Sequence, residues 1–258
     1  MAEEPANPSA PAVVFCGFSV WFGEKQALQD IQLSACRGQR LALIGAAGSG
    51  KSTLLRSLNR SNDMIPGYRC QGSVLLNNWD IHDPRVDVAA LRRRVGLVGT
   101  PAAVLPGSIF DNVALALKMS GEHSKQRIFE KVQGGLMKVQ IWDRVKDRLQ
   151  ESAAGLTTSM ILQLSLARTL VLEPEVLLLD EPGAGLDHQV ITMLEDLLED
   201  LKETHTILMA TNDLKQAARA SDRTAFFQCG SLVECGPTRL LFTRPQSEMT
   251  CNFITERF

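Results

Sequence analysis

The chain has 258 residues, of which 45% are apolar and 22% are charged, a mixture typical of a soluble globular protein with room for one large α/β domain. Its formal net charge is −2, so we expect no nucleic-acid partner, because such partners usually go with an excess of basic residues on one face. No segment approaches the about 20 consecutive apolar residues that span a bilayer, and the acidic N-terminus lacks the features of a signal peptide, so any membrane role is expected to come through a partner.

The predicted strands are short apolar runs that alternate with helical patterns. Residues 1–12 contain three prolines, and we interpret them as a disordered tail. The alternation from Val13 onward predicts one α/β domain over residues 13–258. The run at 176–179 is entirely apolar, the pattern of a strand buried on both faces. Strands are predicted at residues 40–45, 72–76, 95–98, 176–179 and 207–210.

Helical patterns occupy the segments between these strands. Residues 52–60 follow the first of them, and residues 188–203 carry apolar side chains at spacings of three and four, which predicts an amphipathic helix. Residues 101–160 are helix-prone, and Ser108 followed by Asp111 is a typical helix start. We interpret this section as a helical subdomain inserted into the α/β core.

Six cysteines are spread along the chain, at positions 16, 36, 70, 229, 235 and 251. None forms a C-x-x-C pair with another, so the sequence does not favour a disulfide framework. We interpret them as reduced thiols, most of them buried.

A glycine-rich stretch follows the strand predicted at 40–45. It matches the pattern G-x-x-x-x-G-K-[ST] without a mismatch, and a helix is predicted directly after it. Glycines let the backbone N–H groups point at phosphate oxygens, the lysine supplies a positive charge for the β- and γ-phosphates, and the serine hydroxyl can reach Mg²⁺. The stretch therefore predicts a phosphate-binding loop for ATP. Its candidate nucleotide-binding residues are Gly45, Ala46, Ala47, Gly48, Ser49, Gly50, Lys51, Ser52 and Thr53.

An acidic pair ends the strand predicted at 176–179. We expect Asp180 to hold Mg²⁺ through water, and Glu181 to polarise the attacking water as the catalytic carboxylate. Such a pair could by itself simply mark the point where a strand leaves the core. Together with the phosphate loop, it favours a nucleotide-hydrolysing site with ATP and Mg²⁺.

The phosphate loop and the sequence LLLDEP at 177–182 resemble the ATP-binding subunits of ABC transporters, and the resemblance covers nearly the whole chain from Val13. It implies an ABC ATPase fold, with a P-loop NTPase (RecA-like) core, an inserted helical subdomain and a small N-terminal antiparallel β part. Phe22, which precedes Gly23, resembles the aromatic residue that stacks on adenine, although an aromatic residue of the core would look the same. Asp187 lies in a stretch that resembles the loop at the dimer interface.

Finer features resemble the ATP-binding subunits of phosphate importers. This resemblance implies a second ATPase subunit in a homo- or heterodimer, two integral-membrane permease subunits and, indirectly, a periplasmic phosphate-binding protein. It also implies a peripheral location on the cytoplasmic face of the bacterial inner membrane. The segments that carry it are residues 57–60, 72–76, 106–112, 216–219, 221–222, 224–226 and 253–258.

Three sites depart from the family pattern. Where the family has the signature L-S-G-G-Q, which offers backbone N–H groups to the partner's nucleotide, this chain has a stretch without glycine. Thr100 stands where the family has a glutamine that contacts Mg²⁺, and its side chain is shorter. Asn212, a candidate catalytic residue, stands where the family has a histidine, and it cannot carry a positive charge. The signature-loop residues are Leu156, Thr157, Thr158, Ser159 and Met160.

Two functions stay open from the sequence. The intact Glu181 favours an ATP-hydrolysing importer subunit whose dimer closes on ATP and transmits the closure to membrane helices. The three departures favour a nucleotide-gated structural or regulatory subunit that binds ATP with little hydrolysis, because losing one donor aimed at the reacting group typically costs about 10²–10³ in rate.

Overall fold

Two β-sheets of different kinds form the framework of the chain. The computed structural model describes residues 11–99, 101–186 and 188–257. Within this part, the first sheet is antiparallel, with the strand order β2-β1-β4-β5. Its strands are β1 (Pro11–Phe22), β2 (Lys25–Cys36), β4 (Tyr68–Leu76) and β5 (Trp79–Asp80).

The second sheet is mostly parallel, with the order β10-β9-β3-β8-β7-β6. Every position of its three central strands β3, β8 and β7 is buried, as expected for strands covered on both faces. The neighbouring pair β9 and β10 is an antiparallel hairpin at one side of the sheet. The strands are β3 (Arg40–Ile44), β6 (Val95–Val98), β7 (Val176–Asp180), β8 (Thr206–Ala210), β9 (Arg223–Gln228) and β10 (Ser231–Pro237).

Helices cover both faces of the parallel sheet, and in the section after β6 the helices α3, α4 and α6 pack against one another. None of the helices in the described ranges is long and apolar enough to cross a membrane. The helices are α1 (Lys51–Leu58), α2 (Val88–Arg94), α3 (Ile109–Met119), α4 (Lys125–Lys138), α5 (Trp142–Val145), α6 (Thr158–Leu170), α7 (His188–Leu201), α8 (Leu214–Ala220), α9 (Thr238–Thr243) and α10 (Glu248–Arg257).

Side-chain alternation along β3 places this strand between two hydrophobic clusters. Leu41 and Leu43 lie in the cluster shared with the antiparallel sheet, whereas Ala42 and Ile44 lie in the cluster shared with the helices after β6. The apolar side chains of α1 belong to the first cluster and are fully buried. The end of β3 and the start of α1 are therefore fixed relative to β1.

The predicted fold class agrees with this architecture, and the strands predicted at 95–98 and 176–179 lie within a residue of their observed bounds. Residues 1–10 lie outside the described part. The boundary predicted at Val13 is too late, because β1 begins at Pro11 and Ala12 is buried. The helical section expected at 101–160 continues in α6 to Leu170, since its apolar residues pack against α3 and α4.

The prediction that most cysteine thiols are buried is wrong. Cys229 and Cys251 are exposed, and the other four cysteines are half-buried. The reason is their position, because Cys229 lies in a turn and Cys251 lies in α10 near the end of the chain.

A buried arginine ties the start of β3 to the start of β9. The Arg40 side chain is 11% exposed, and its Nη2 donates to Asp222 Oδ1 at 2.8 Å. The Arg40 backbone N–H donates to the other oxygen of the same carboxylate at 2.9 Å, and a second ion pair joins Arg40 to Glu199. Burial by itself would raise the pKa of Asp222, but the hydrogen bonds and charge of Arg40 hold it below its ordinary value.

We expect Asp222→Ala to lower the free energy of unfolding by about 1–2 kcal/mol, because Arg40 stays buried while it loses this carboxylate; the partial exposure of Asp222 keeps the loss below that of a fully buried pair. Denaturant unfolding measures the change. Arg85→Met, which removes only the exposed guanidinium beside Asp83, is the control and should leave the unfolding midpoint unchanged. Equal midpoints for all three proteins would contradict this expectation.

Candidate functional site

The glycine-rich loop leaves the carboxyl end of β3 in a conformation that only glycine adopts easily. Gly45 and Gly50 have φ angles of 148° and 107°. A Cβ atom on Gly45 would lie 2.2 Å from the carbonyl oxygen of Phe227, and one on Gly50 would lie 2.6 Å from a methyl carbon of Leu28. Strands β9 and β2 thus leave no room for a side chain at these two positions of the loop. The loop leads directly into α1.

The lysine of this loop is buried at the centre of the site. Lys51 is 4% exposed, and its Nζ donates to the carbonyl oxygens of Gly45 at 2.8 Å and Ala46 at 3.0 Å. Nζ also donates to Asn212 Oδ1 at 3.0 Å and lies 3.8 Å from Glu181 Oε1. The structure therefore brings together residues from the ends of β3, β7 and β8, and Asn212 contacts the very lysine expected to meet phosphate.

Both oxygens of the Asp180 carboxylate are engaged. Ser52 Oγ donates to Oδ1 at 2.6 Å, and Arg56 Nη2 donates to Oδ2 at 3.0 Å. Asp180 is 3% exposed, so this carboxylate would be strongly destabilised without partners. The pairing of a serine hydroxyl with a carboxylate presents hard oxygen ligands, the kind that Mg²⁺ prefers.

Glu181 follows in a backbone conformation that is unusual for a residue with a side chain. Its φ is 54°, and its own N–H donates to the carbonyl oxygen of Ala210 at 2.8 Å. The Asn212 N–H donates to Glu181 Oε2 at 2.9 Å. Burial raises the pKa of Glu181, even though this hydrogen bond and the charge of Lys51 act to lower it. A carboxylate with a raised pKa is a better proton acceptor near neutral pH.

A cavity of about 380 Å³ opens beside the loop. Phe22 lies in its wall, and the Phe22 ring also packs on Tyr68 with centroids 5.9 Å apart. The half-buried Phe22 ring is therefore both available to stack on a base in the cavity and packed against a neighbouring aromatic side chain. The cavity is lined by Phe22, Lys25, Gln26, Ala27, Gly48, Ser49, Gly50, Lys51, Ser52, Thr53, Cys229 and Gly230.

Comparison with known proteins identifies the family. A family model described as "ABC transporter" matches residues 28–184, which include the glycine-rich loop and the acidic pair.

The chain belongs to the ABC transporter family.

Curated relatives align with nearly the whole chain. One, named "Phosphate import ATP-binding protein PstB", from Pseudoalteromonas translucida (strain TAC 125), is 43% identical over 239 residues, which are 93% of this chain and 87% of the relative. A protein of the same name from Colwellia psychrerythraea (strain 34H / ATCC BAA-681) is 41% identical over 252 residues, which are 98% of this chain and 90% of the relative.

Two solved structures share the fold of this ABC transporter family member. A bacterial Atm1-family ABC exporter with ATP bound has a TM-score of 0.81 at 23% identity; the match covers 99% of this chain, which spans 44% of the exporter chain. The protein cbiO1 from Clostridium perfringens, part of the ABC transporter complex cbiONQ, has a TM-score of 0.78 at 23% identity, with 96% of both chains covered. This likeness concerns the fold alone, and it confirms the predicted ABC ATPase fold class.

The loop that the sequence predicts as the signature loop lies at the start of α6, and none of its residues lines the cavity. Thr157 is the N-cap residue, and its Oγ1 accepts from the Met160 N–H at 3.4 Å. Met160 is 2% exposed and belongs to the hydrophobic core, as does Leu156 at 8%. Thr158 is exposed and Ser159 is half-buried. The hydroxyl of Thr157 therefore caps a helix, and Thr157 and Thr158 are the two exposed residues of this loop.

Two of the predicted site residues cannot be placed. Thr100, expected near Mg²⁺, and Asp187, expected at a dimer interface, lie outside the described residues.

Sequence reasoning missed two contributors to the site. Arg56 follows Ser52 by four residues on α1, so the helical spacing could have indicated that both face Asp180. The turn at Cys229 and Gly230 lies far along the chain from the loop and carries no motif, so no sequence signal indicates its place in the cavity wall.

Arg56 places a positive charge 3.0 Å from Asp180 Oδ2. We expect Arg56→Met to lower the free energy of unfolding by about 1 kcal/mol in EDTA, a value that allows for the partial exposure of Arg56. Saturating Mg²⁺ and ATP should reduce this deficit, because a bound cation replaces the lost charge. Denaturant unfolding under both conditions measures it.

Arg85→Met is the control for this comparison, since its exposed ion pair with Asp83 should contribute nothing measurable in either condition. A deficit of the same size with and without Mg²⁺ and ATP would show that Arg56 acts only through helix packing.

Proposed function

We propose that this chain is the ATP-binding, energy-coupling subunit of an ABC importer for inorganic phosphate, and that it is an ATPase. The observation that carries the proposal is that the acidic pair at the end of β7 meets the phosphate loop: Glu181 lies 3.8 Å from Lys51 Nζ, and Asp180 accepts from Ser52, while Lys51 and Ser52 line the cavity. The relatives named as phosphate import ATP-binding proteins, which align over almost the whole chain, support the choice of cargo.

The residues at the phosphate loop fit a Mg²⁺ ion. Ser52 Oγ and the Asp180 carboxylate are the oxygen donors that would hold it, with Thr100 proposed as a further contact from outside the described residues. Bound there, Mg²⁺ would supply positive charge that neutralises phosphate oxygens.

Each remaining residue has a role that follows from its contacts. The loop N–H groups and the Lys51 ammonium bind phosphate oxygens, and the glycines keep the backbone open to them. Glu181 accepts the proton of the attacking water, since its raised pKa suits that task. Asn212 positions Glu181 through its N–H and Lys51 through its amide oxygen. Phe22 offers a ring face to the adenine base.

The proposed partners would bind surfaces of the chain that do not line the cavity. The loop from Leu156 to Met160 lies away from the chain's own cavity, which suits a contact with the nucleotide of a second ATPase subunit, and Asp187 is proposed for the same interface. Permease subunits in the bacterial inner membrane would hold the dimer on the cytoplasmic face, and a periplasmic phosphate-binding protein would deliver cargo to them.

A second candidate function has its own observation. The Asn212 side chain accepts a hydrogen bond from Lys51, so this residue engages the lysine without adding a positive charge of its own. Together with the exposed, β-branched Thr158 at the start of α6, this favours a nucleotide-gated regulatory subunit that binds ATP and hydrolyses it slowly.

Steady-state ATP turnover of the chain with its membrane partners separates these functions. We expect Glu181→Gln to lower turnover by about 10²-fold or more while ATP binding persists, because the glutamine cannot accept a proton. Lys51→Ala should instead weaken ATP binding. If the parent complex hydrolyses ATP no faster than its Glu181→Gln form, the regulatory function replaces the hydrolytic one.

The raised pKa of Glu181 gives turnover a characteristic pH dependence. Catalysis needs the ionised carboxylate, so a raised pKa in the free protein moves the acid limb of the kcat/KM profile to higher pH than an ordinary glutamate would give. Turnover should rise as the pH rises through this limb, whereas ATP affinity measured over the same range should stay nearly flat. An acid limb at the position of an unperturbed glutamate would contradict the assignment of Glu181 as proton acceptor.

A further inference from the structure

A buried glutamine lies against the turn that follows Glu181. Gln216 is the third residue of α8 and is only 1% exposed. Its Nε2 has no hydrogen-bond partner among the described residues. An amide N–H that is buried without a partner is destabilising, because it has lost its water and gained nothing in return. A glutamine in this place therefore indicates a use for its donor in another state of the protein.

Helix capping does not account for this side chain. Asp213 is the N-cap residue of α8, and in a capping box a glutamine three residues later accepts from the backbone N–H of the N-cap residue. Here the Thr211 hydroxyl takes that place and accepts from the Asp213 N–H at 3.1 Å. The same hydroxyl donates to Gln216 Oε1 at 2.9 Å. The glutamine is thus connected to the turn at residues 211–213 through Thr211.

The amide nitrogen of Gln216 lies against a second turn, which residues 182–185 form. A Cβ atom on Gly183 would lie 2.8 Å from Gln216 Nε2, so only a glycine leaves room for this close contact. The second turn is tied to the catalytic carboxylate, because the Ala184 N–H donates to the carbonyl oxygen of Glu181 at 3.1 Å. The unpaired donor therefore adjoins a backbone segment whose position affects Glu181.

The turn at residues 211–213 also acts on Glu181. It carries Asn212, whose N–H donates to Glu181 Oε2 at 2.9 Å and whose Oδ1 accepts from Lys51 Nζ at 3.0 Å. Thr211, the residue before it, is the one that donates to Gln216. A change at Gln216 is therefore passed to the hydrogen bond on Glu181 through a single intermediate residue.

We propose that Gln216 is a positioning residue for Glu181. It fixes the turn at residues 211–213, and when ATP is bound between paired subunits its Nε2 donates to a carbonyl oxygen of the turn at residues 182–185. The inference rests on the proposed function, namely that Glu181 accepts the proton of the attacking water. It adds one side chain that joins the two turns on which the geometry of Glu181 depends.

Gln216→Met tests this role, because methionine keeps the length of the side chain and loses its hydrogen-bonding amide. We expect kcat of the chain with its membrane partners to fall about 10-fold or more, since a small displacement of a catalytic group has an effect of this size. The Kd for ATP of the chain alone should be unchanged, because the glycine-rich loop and Lys51 remain in place. Steady-state turnover and titration calorimetry measure the two quantities.

The acid limb of the kcat/KM profile separates positioning from a loss of stability. Burial is the largest influence on the pKa of Glu181 and raises it, whereas the Asn212 N–H and the charge of Lys51 act to lower it and the charge of Asp180 acts to raise it. Gln216→Met leaves both charges in place and weakens the hydrogen bond from Asn212. The acid limb should therefore lie at higher pH than in the parent.

The two halves of the Gln216 amide are tested through its partner Thr211. Thr211→Val removes only the link through the hydroxyl, so it should lower kcat less than Gln216→Met, which also removes the donor. Thr211→Ser keeps the hydroxyl and should restore most of what Thr211→Val loses. Equal losses of kcat in Thr211→Val and Gln216→Met would show that the Nε2 donor has no use.

Gln163 provides the matched control, because it is also a glutamine buried in a helix. It is 5% exposed, and its Nε2 donates to the carbonyl oxygen of Val139 at 2.7 Å. Gln163→Met should lower the denaturant midpoint and leave the acid limb unchanged. Gln216→Met should show the opposite pattern, with a midpoint near that of the parent, because the loss of the Thr211 contact is offset by the removal of an unpaired buried amide.

The outcomes separate this inference from the proposed function. If the Glu181→Gln complex hydrolyses ATP as fast as the parent, both are overturned. If only the parent hydrolyses ATP, the inference alone is overturned by a Gln216→Met complex with the kcat and acid limb of the parent. It is likewise overturned if Gln216→Met behaves as Gln163→Met does, with a lower midpoint and an unchanged acid limb.

Discussion

The parallel pairing of β8 with both β3 and β7 is the constraint on which the site depends. Each strand in this trio is buried along its whole length, so its backbone groups must be satisfied by its neighbours and the register has no freedom to slip. The carboxyl ends of the three strands therefore meet at one edge of the sheet. Asp180 is the last residue of β7, Asn212 follows β8 closely, and Lys51 comes after the loop that leaves β3. Lys51 contacts both Asn212 and Glu181, and Ser52 contacts Asp180.

Burial at this edge makes each charge depend on the others. Lys51 is surrounded by carbonyl oxygens and by Glu181, and Asp180 is satisfied by a hydroxyl on one side and a guanidinium on the other. Burial is the largest influence on Glu181 and raises its pKa, although the Asn212 N–H and the charge of Lys51 act to lower it. The same low-dielectric surroundings that make these groups costly to bury let them act strongly on a phosphate.

The residues predicted to form the signature loop contribute to the fold of this chain. Thr157 keeps a hydroxyl, but that hydroxyl caps α6, and Met160 fills the core beneath it. The start of α6 is thus well anchored without a glycine. Asn212 likewise accepts a hydrogen bond from Lys51, but unlike a histidine it cannot carry a positive charge.

Much of the structure of this protein could be predicted from local patterns in its sequence. The glycine-rich loop, the acidic pair at Asp180 and Glu181, the buried strands and the Ser108 cap each follow from a few neighbouring residues, and the structure contains all of them. Such features are readable because backbone conformation, burial on both faces and capping depend on short segments of chain. Most strand bounds are off by at most a residue, but β4 begins at Tyr68 rather than at residue 72, since the ends of an element depend on its neighbours.

Only the tertiary structure decided which distant residues complete the site. Asn212 reaches Lys51 across 161 residues because β8, late in the chain, inserts beside β3. Arg56 reaches Asp180 across 124 residues because α1 packs against β7. Cys229 lies beside the phosphate loop because β9 pairs with the other edge of β3. Strand order is set by long-range pairing and packing of whole elements, so no local pattern in the sequence records it.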